Sequence, residues 1–522
     1  MLSRHRVGVG VITLLVSGFT IAQPSAPPTA DASAPTIQVQ TGQVLPTQQD
    51  GVLQALGIPF AKPPVGALRW RAPQDAAPWD GVRDASHFGN ACAQIGNFYT
   101  TDNTADFDKP FGSEDCLYLN IWAPAEAHQR PVLVFIHGGG GVFGAGSYGA
   151  YDGRRLAREL DAVVVSTNYR LGIFGGIEVD ALRSGDPLSD SGSLWLLDQI
   201  KALEWVAHNI AAFGGDPGNV TVMGHSAGGV SVLAMLRSPL ATGKFSKAVV
   251  LSAFPAYTEP EERQQRSTTF LTQVMRRDGT LADEKELQKH LKRLGDEGLR
   301  TYLYAKPASD LIEASRGIRA VVGGGDDAVL RAPKTDPHQD FPNPVPMLIG
   351  MVDNEASMLF LLEGFSKLTP LQFWDVANQV DAEPTRRDLF TWFGDWRFRL
   401  STSITNIYLR HKVTDAANRL TQAGAPVYRY YFDWNDQPQP WRSVLGSYHG
   451  LDVPFVFGNF RDSEPNFGRF SWTPETVEAR EAIHSAMAKA LKGFVESGDP
   501  NRYPSQMKWP LWDASHEMTV IR

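Results

Sequence analysis

From residue 50 to residue 255 the chain alternates two hydrophobic patterns. Short runs are apolar at nearly every position: Val132-Leu-Val-Phe-Ile136, Ala162-Val-Val-Val-Ser-Thr167, Val220-Thr-Val-Met-Gly224 and Lys247-Ala-Val-Val-Leu-Ser252. Between them lie stretches with a helical period. The clearest runs from Leu194 to Phe213, with apolar residues at Leu196, Leu197, Ile200, Leu203 and Val206. Wholly apolar runs of five or six residues suit strands buried on both faces, and helices between them predict a mostly parallel sheet in an α/β fold. Beyond residue 255 the pattern changes. Residues 259–304 are densely charged and predict surface helices, an excursion from the sheet. The strand pattern resumes at Pro346–Val352 and again at Val427–Phe432. Residues 365–422 read as helical and rich in aromatics (Phe373, Trp374, Phe390, Trp392, Phe393, Trp396, Phe398), and a last helix is expected from Thr476 to Ser497. No repeat and no Pro/Gly/Ser linker divides the chain, so residues 41–522 are expected to form one α/β domain with helical insertions near 259–335 and 365–422.

The N-terminus does not fit that domain. Arg4 and Arg6 precede an apolar run from Val7 to Phe19, followed by Thr20 and Ala22. This predicts a secretory signal over residues 1–22, too short to span a bilayer comfortably. Residues 23–40, rich in Pro, Ala, Ser and Thr, predict a disordered lead-in. The expected destination is the periplasm or the medium. The chain has only two cysteines, Cys92 and Cys116, and export to an oxidising compartment permits one disulfide. A net charge of −8 gives no basic footprint for nucleic acid. No motif calls for a metal or a cofactor. The oligomeric state is not legible in the sequence.

The chemistry starts at Gly224-His-Ser-Ala-Gly228, where a strand-like run breaks and a helix-like pattern begins. A sharp strand-to-helix turn lifts Ser226 to the top of a sheet, and only small residues fit two positions before and after it. The helix behind it offers free N–H groups and a favourable dipole to a developing oxyanion. A second glycine run, His137-Gly-Gly-Gly-Gly141, follows the run ending at Ile136. Hydrolases with such a serine turn draw oxyanion donors from the residue after the nucleophile and from a glycine-rich loop after an earlier strand. Ala227, Gly139 and Gly140 fit those sources. The four glycines would also suit a phosphate loop, but no Gly-Lys-Ser/Thr follows.

Ser226 then needs a base, and the base an orienting carboxylate, in the chain order Ser, acid, His. Six histidines follow: His290, His338, His411, His449, His484 and His516. Only His449 lies on a loop after a late strand, where the base must sit. The acid belongs after the Pro346–Val352 run, where either Asp353 or Glu355 could reach.

With these residues in view, the chain resembles the type-B carboxylesterases, the α/β-hydrolase family that includes cholinesterases and bacterial p-nitrobenzyl-type esterases. The likeness covers about residues 50 to 515. It is carried by Gly57-Ile-Pro-Phe-Ala-Lys-Pro-Pro-Val-Gly66, Ser113-Glu-Asp-Cys-Leu-Tyr-Leu-Asn-Ile-Trp122, the His137 glycine run, Asn168-Tyr-Arg-Leu-Gly-Ile-Phe174, Ala211-Ala-Phe-Gly-Gly-Asp-Pro217 and Gly224–Gly229. The resemblance implies an α/β-hydrolase fold with a mostly parallel central sheet, helical insertions forming a gorge or lid, and a small-molecule ester substrate. It implies Ser226 as nucleophile, Glu355 rather than Asp353 as acid, His449 as base, and Gly139, Gly140 and Ala227 as oxyanion donors. It also implies a Cys92–Cys116 disulfide and scaffold ion pairs Arg69–Glu114 and Arg170–Asp198.

Three positions depart from the family's habit. Gly141 stands where an aromatic is usual, which would widen the pocket near the oxyanion hole. His225 stands before the nucleophile where Glu is common, and Ala356 follows the acid where Gly is common. Residues 93–115 lack the tryptophan that stacks on choline in cholinesterases, so a cation–π site for quaternary ammonium is not expected there. The expected activity is serine carboxylic-ester hydrolysis of small to medium, apolar or aromatic esters. An amidase or peptidase with the same triad, and a non-catalytic binding relative, are the alternatives.

Overall fold

The computed structural model describes residues 35–522, apart from 282, 321–327, 363–365, 380–381 and 392–394. The expected signal segment, most of the expected lead-in, and Trp392 and Phe393 lie outside the described residues. Ten strands build the central sheet: Thr47–Gln49 (β1), Val52–Pro59 (β2), Tyr118–Pro124 (β3), Arg130–Ile136 (β4), Val163–Thr167 (β5), Gly215–His225 (β6), Lys247–Leu251 (β7), Met347–Val352 (β8), Val427–Phe432 (β9) and Thr519–Ile521 (β10). Their order is β10-β9-β8-β7-β6-β4-β5-β3-β2-β1. From β10 to β5 all neighbours are parallel, and β3, β2 and β1 add on antiparallel at one edge.

Most of the parallel strands are the runs that read as apolar at nearly every position. Residues 132–136 of β4 and every residue of β5, β7, β8 and β9 are buried. Two hydrophobic cores account for this, one on each face. Alternate residues of a strand enter opposite cores: Val132, Val134 and Ile136 join one, Leu133 and Phe135 the other. The Leu194–Asn209 helix covers the first face, and the Arg154–Leu160 and Val477–Ser497 helices the second.

The segments read as insertions carry helices in several pieces. Residues 259–304 carry helices Pro260–Arg277 and Leu287–Tyr304. In 365–422 the pieces are Pro370–Asn378, Arg386–Leu389 and Asp395–Gln422. The expected lead-in ends too late: Ile37–Val39 already forms a strand, paired with Gly42–Leu45 in a small separate sheet. Its burial comes from one residue, Val39, because in Ile-Gln-Val the polar position alternates outward. None of the described helices is long and apolar enough to cross a membrane.

Candidate active site

Strand β6 ends at His225 and the next helix starts at Ala227, so one residue makes the turn. That residue, Ser226, has φ 54° and ψ −122°, a strained backbone for a side chain other than glycine. Its N–H is tied to the Leu251 carbonyl at the end of β7, 2.9 Å away. The glycines around it are forced by contact. A Cβ on Gly224 would run into the Gly228 carbonyl, and one on Gly228 into the carbonyl of Ile136 at the end of β4. The turn is therefore wedged between two strand ends and holds Ser226 at the carboxyl edge of the sheet.

Two further strand ends bring the expected base and acid to the same edge. Glu355 opens a short helix, Glu355–Phe360, just after β8. His449 sits on the loop beyond β9, and that loop is stitched to the β8 turn by Asn354 N–H donating to Ser447 O at 2.8 Å. His449 Nδ1 bonds Glu355 Oε2, and Val352 N–H donates to Glu355 Oε1 at 3.0 Å. Both partners are buried. Asp353, the alternative acid, points elsewhere: it pairs with Arg410 at 2.8 Å and bonds the Tyr431 hydroxyl. Burial alone would lower the His449 pKa. The charge and hydrogen bond of Glu355, with Asp452 behind, outweigh it and hold the imidazole above its ordinary value.

The glycine loop closes the other side. No described residue accepts from the N–H of Gly139, Gly140 or Ala227. Gly139 and Gly140 have φ of 108° and 61°, open to glycine at little cost. The loop is clamped by Gln94, whose amide donates to Gly144 O at 2.9 Å and accepts from Gly144 N at 2.8 Å. Gln94 belongs to the loop closed by the Cys92–Cys116 disulfide. All this opens on a cavity of about 880 Å³ that reaches Gly139, Gly140, Ser226 and His449. Its walls are largely apolar, with Phe98, Tyr99, Phe143, Phe174, Phe373 and Leu361 prominent.

The two expected specificity positions differ. His225 does line the cavity. Its ring lies 4.8 Å from that of His449, and a Cβ on Gly138 or Gly450 would come within 2.9 or 3.2 Å of it. Burial, and then the neighbouring His449 charge, hold His225 well below the ordinary imidazole pKa, so it is neutral. Gly141 does not line the main cavity. It borders a small crevice with Ala227 and Ser231, has φ 71°, and its carbonyl takes the Gly172 N–H at 2.7 Å. The positive φ gives the backbone its own reason for glycine at this position.

The scaffold pairs form as expected: Arg69–Glu114 at 2.6 Å and Arg170–Asp198 at 2.7 Å. Among the other histidines, His484 is fully buried against Glu159 and Phe455 O, away from the site. Sequence reasoning missed Asp452. This carboxyl is wholly buried, receives the Tyr430 hydroxyl at 2.7 Å, and is pushed up to about 6, chiefly by burial and then against the pull of Tyr430. Its place at the start of the Asp452–Phe457 helix makes it look in sequence like an ordinary helix-opening acid. Gln94 was missed too, since a lone glutamine in a loop carries no signal.

A serine on a strained strand–helix turn, a buried His–Glu pair and unpaired loop N–H groups are the features of an α/β-hydrolase. The chain belongs to the carboxylesterase family, whose profile matches residues 33–522, and it is a carboxylic-ester hydrolase. It is 32% identical over 501 residues to the para-nitrobenzyl esterase of Bacillus subtilis, covering 93% of this chain and 94% of that protein. It is 30% identical to the cocaine esterase of Homo sapiens, covering 98% and 90%. Among solved structures, a carboxylesterase of Geobacillus stearothermophilus superposes with a TM-score of 0.72 at 31% identity, over 93% of this chain and 96% of that one. A PNB esterase does so with a TM-score of 0.70 at 29% identity, over 93% and 95%.

Proposed function

We propose that this esterase works through an acyl-enzyme on Ser226, with His449 as base and Glu355 as its orienting acid. The observation that carries the reading is the buried Glu355–His449 pair opening on the cavity beside the strained Ser226 turn. Glu355 on Nδ1 leaves Nε2 as the proton acceptor for Ser226 Oγ. Ser226 Oγ makes no hydrogen bond among the described residues, and it shares the cavity with His449; nucleophile–base bonds of this kind tighten when substrate binds. Oγ attacks the ester carbonyl as its proton passes to His449, and the imidazolium is stabilised by Glu355. The oxyanion meets the N–H groups of Gly139, Gly140 and Ala227, each worth roughly a hundred- to a thousandfold in rate. His449 returns the proton to the leaving alcohol. Water, deprotonated by the same imidazole, then cleaves the acyl-enzyme.

The apolar, aromatic walls support esters of small to medium size with apolar or aromatic parts. The disulfide supports export, with residues 1–22 as the signal. Ser226→Ala is expected to remove nearly all turnover of p-nitrophenyl esters and all labelling by a fluorophosphonate, with an unchanged circular dichroism spectrum. Substantial residual hydrolysis by that variant would refute the assignment. A panel varying acyl and alcohol size, with matched amides, tests the substrate range.

A further inference from the structure

One helix face is built against the usual rule. The Asp395–Gln422 helix buries Phe398, Thr402, Val413, Ala417 and Leu420 against the body of the protein. Its outer face should then be polar. Instead Trp396, Leu400, Ile404, Ile407 and Tyr408 follow one another at spacings of one, three and four, and stand 66, 52, 59, 67 and 53% exposed. At helical pitch they form one continuous stripe. Side chains of this size, so exposed, present together on the order of 600 Å² of apolar surface, the upper end for the largest patch on a typical monomer. A stripe this long on a helix already anchored on its other side has no folding role.

The charges beside it narrow the choice of occupant. Arg399 and Arg410 lie along one edge, Arg397 and Lys412 along the other. Arg410 is held by Asp353. Arg397 and Arg399 are exposed and make no ion pair among the described residues. Arg397 lies 5.2 Å from the Trp396 ring and the Lys412 amine 5.4 Å from the Tyr408 ring. Their alkyl stems therefore follow the apolar stripe while the charged ends reach past it. This basic edge occurs on a chain of net charge −8. A second copy docked antiparallel about Ile404 would bring Arg399 of each helix toward Arg410 of the other. A tryptophan- and isoleucine-bearing face edged with arginine suits an interface with apolar depth and negative charge.

We propose that this face seats the protein on the surface of an anionic phospholipid bilayer, the helix lying in the headgroup plane. Phe398, on the buried side of the same helix, packs 6.3 Å from Phe360, and Leu359, Leu361 and Leu362 around Phe360 line the catalytic cavity. Seating the helix would thus hold one wall of that cavity at the lipid boundary.

The test is co-sedimentation of the exported, processed protein with vesicles of equal parts phosphatidylglycerol and phosphatidylcholine, against phosphatidylcholine alone. The wild type should pellet with the anionic vesicles and be released by high salt. Ile404→Ser/Ile407→Ser should weaken binding by at least about tenfold. Arg397→Gln/Arg399→Gln should weaken it by about fivefold per arginine on anionic vesicles, with little change on neutral ones. Turnover of a soluble p-nitrophenyl ester should stay at the wild-type level in both variants, showing that they fold. No pelleting of the wild type, or equal pelleting of wild type and Ile404→Ser/Ile407→Ser, overturns the proposal. So does a wild-type dimer by light scattering that the isoleucine variant splits, which would assign the stripe to a second copy.

Discussion

Asp452 offers the sharpest test of how the site's electrostatics are built. It is fully buried, and its carboxyl titrates at about 6 instead of 3.8. At 1.36 kcal/mol per unit, that displacement corresponds to about 3 kcal/mol. The folded pKa is raised, so the contribution to stability is fully present below pH 3.8, where the carboxyl is neutral in both states. It is lost as pH rises through about 6, because the folded protein must then hold a buried carboxylate that the unfolded chain solvates freely. Asn at 452 imitates the neutral acid and can still accept from the Tyr430 hydroxyl. Between pH 4, where the unfolded carboxyl is already more than half ionised, and pH 8, Asp452→Asn should therefore gain about 2.4 kcal/mol on the wild type. Whatever fixed offset the substitution brings cancels in that difference. For a chain this long the gain is about 2 °C in Tm. The assay is paired thermal unfolding of the two proteins at both pH values, with unfolding in urea as a second measure. The same variant removes one of the charges that hold the His449 pKa up, so the acid limb of kcat/KM should move to lower pH. If the variant gains nothing between pH 4 and pH 8, or loses, the carboxylate is not bearing a desolvation cost and the reasoning fails.

Two other substitutions probe the same logic. Glu355→Gln removes the anion that outweighs burial at His449. It should cut kcat by roughly a thousand- to ten-thousandfold, and the residual kcat/KM profile should show its acid limb at lower pH, since the base is lost only as pH falls through a now smaller pKa. Asp198→Asn leaves Arg170, 3% exposed, without its carboxylate. It should cost about 3–5 kcal/mol, read as a fall in the urea midpoint.

Most strands of the parallel sheet were legible because burial on both faces leaves them few polar residues. β4, β5, β7, β8 and β9 fall within two residues of the runs that predict them. Legibility failed where burial is one-sided and short. Ile37–Val39 has one buried residue among three and sits in a Pro/Ser/Thr-rich stretch, so composition outweighed a two-residue period. The long aromatic segment failed differently. Its periodicity is helical, but Phe398 is buried while Trp396 is two-thirds exposed, and sequence cannot say which of a helix's apolar residues meets the core.

The candidate site divides along a similar line. Ser226, His449 and the glycine loop announce themselves because their backbone demands are local: a turn that admits only glycine two residues away, a loop that needs positive φ. Partners that act through space leave no such mark. Asp353 and Glu355 are two residues apart and indistinguishable in the residue pattern; their separation comes from Arg410 and Tyr431, which arrive from a distant helix and strand and occupy Asp353. Gly141 carries two demands at once. A small residue beside the glycine loop reads as space made for substrate, and its φ of 71° also favours glycine for the backbone alone. His225 is another departure. Packed between Gly138 and Gly450, it sets a neutral ring against His449, the proposed base. A carboxylate there would add to the pull of Glu355 and Asp452 on the imidazole. With His225 neutral, those two acids alone set how far the His449 pKa rises, which is why Asp452 carries weight here that no local pattern in the sequence could have assigned to it.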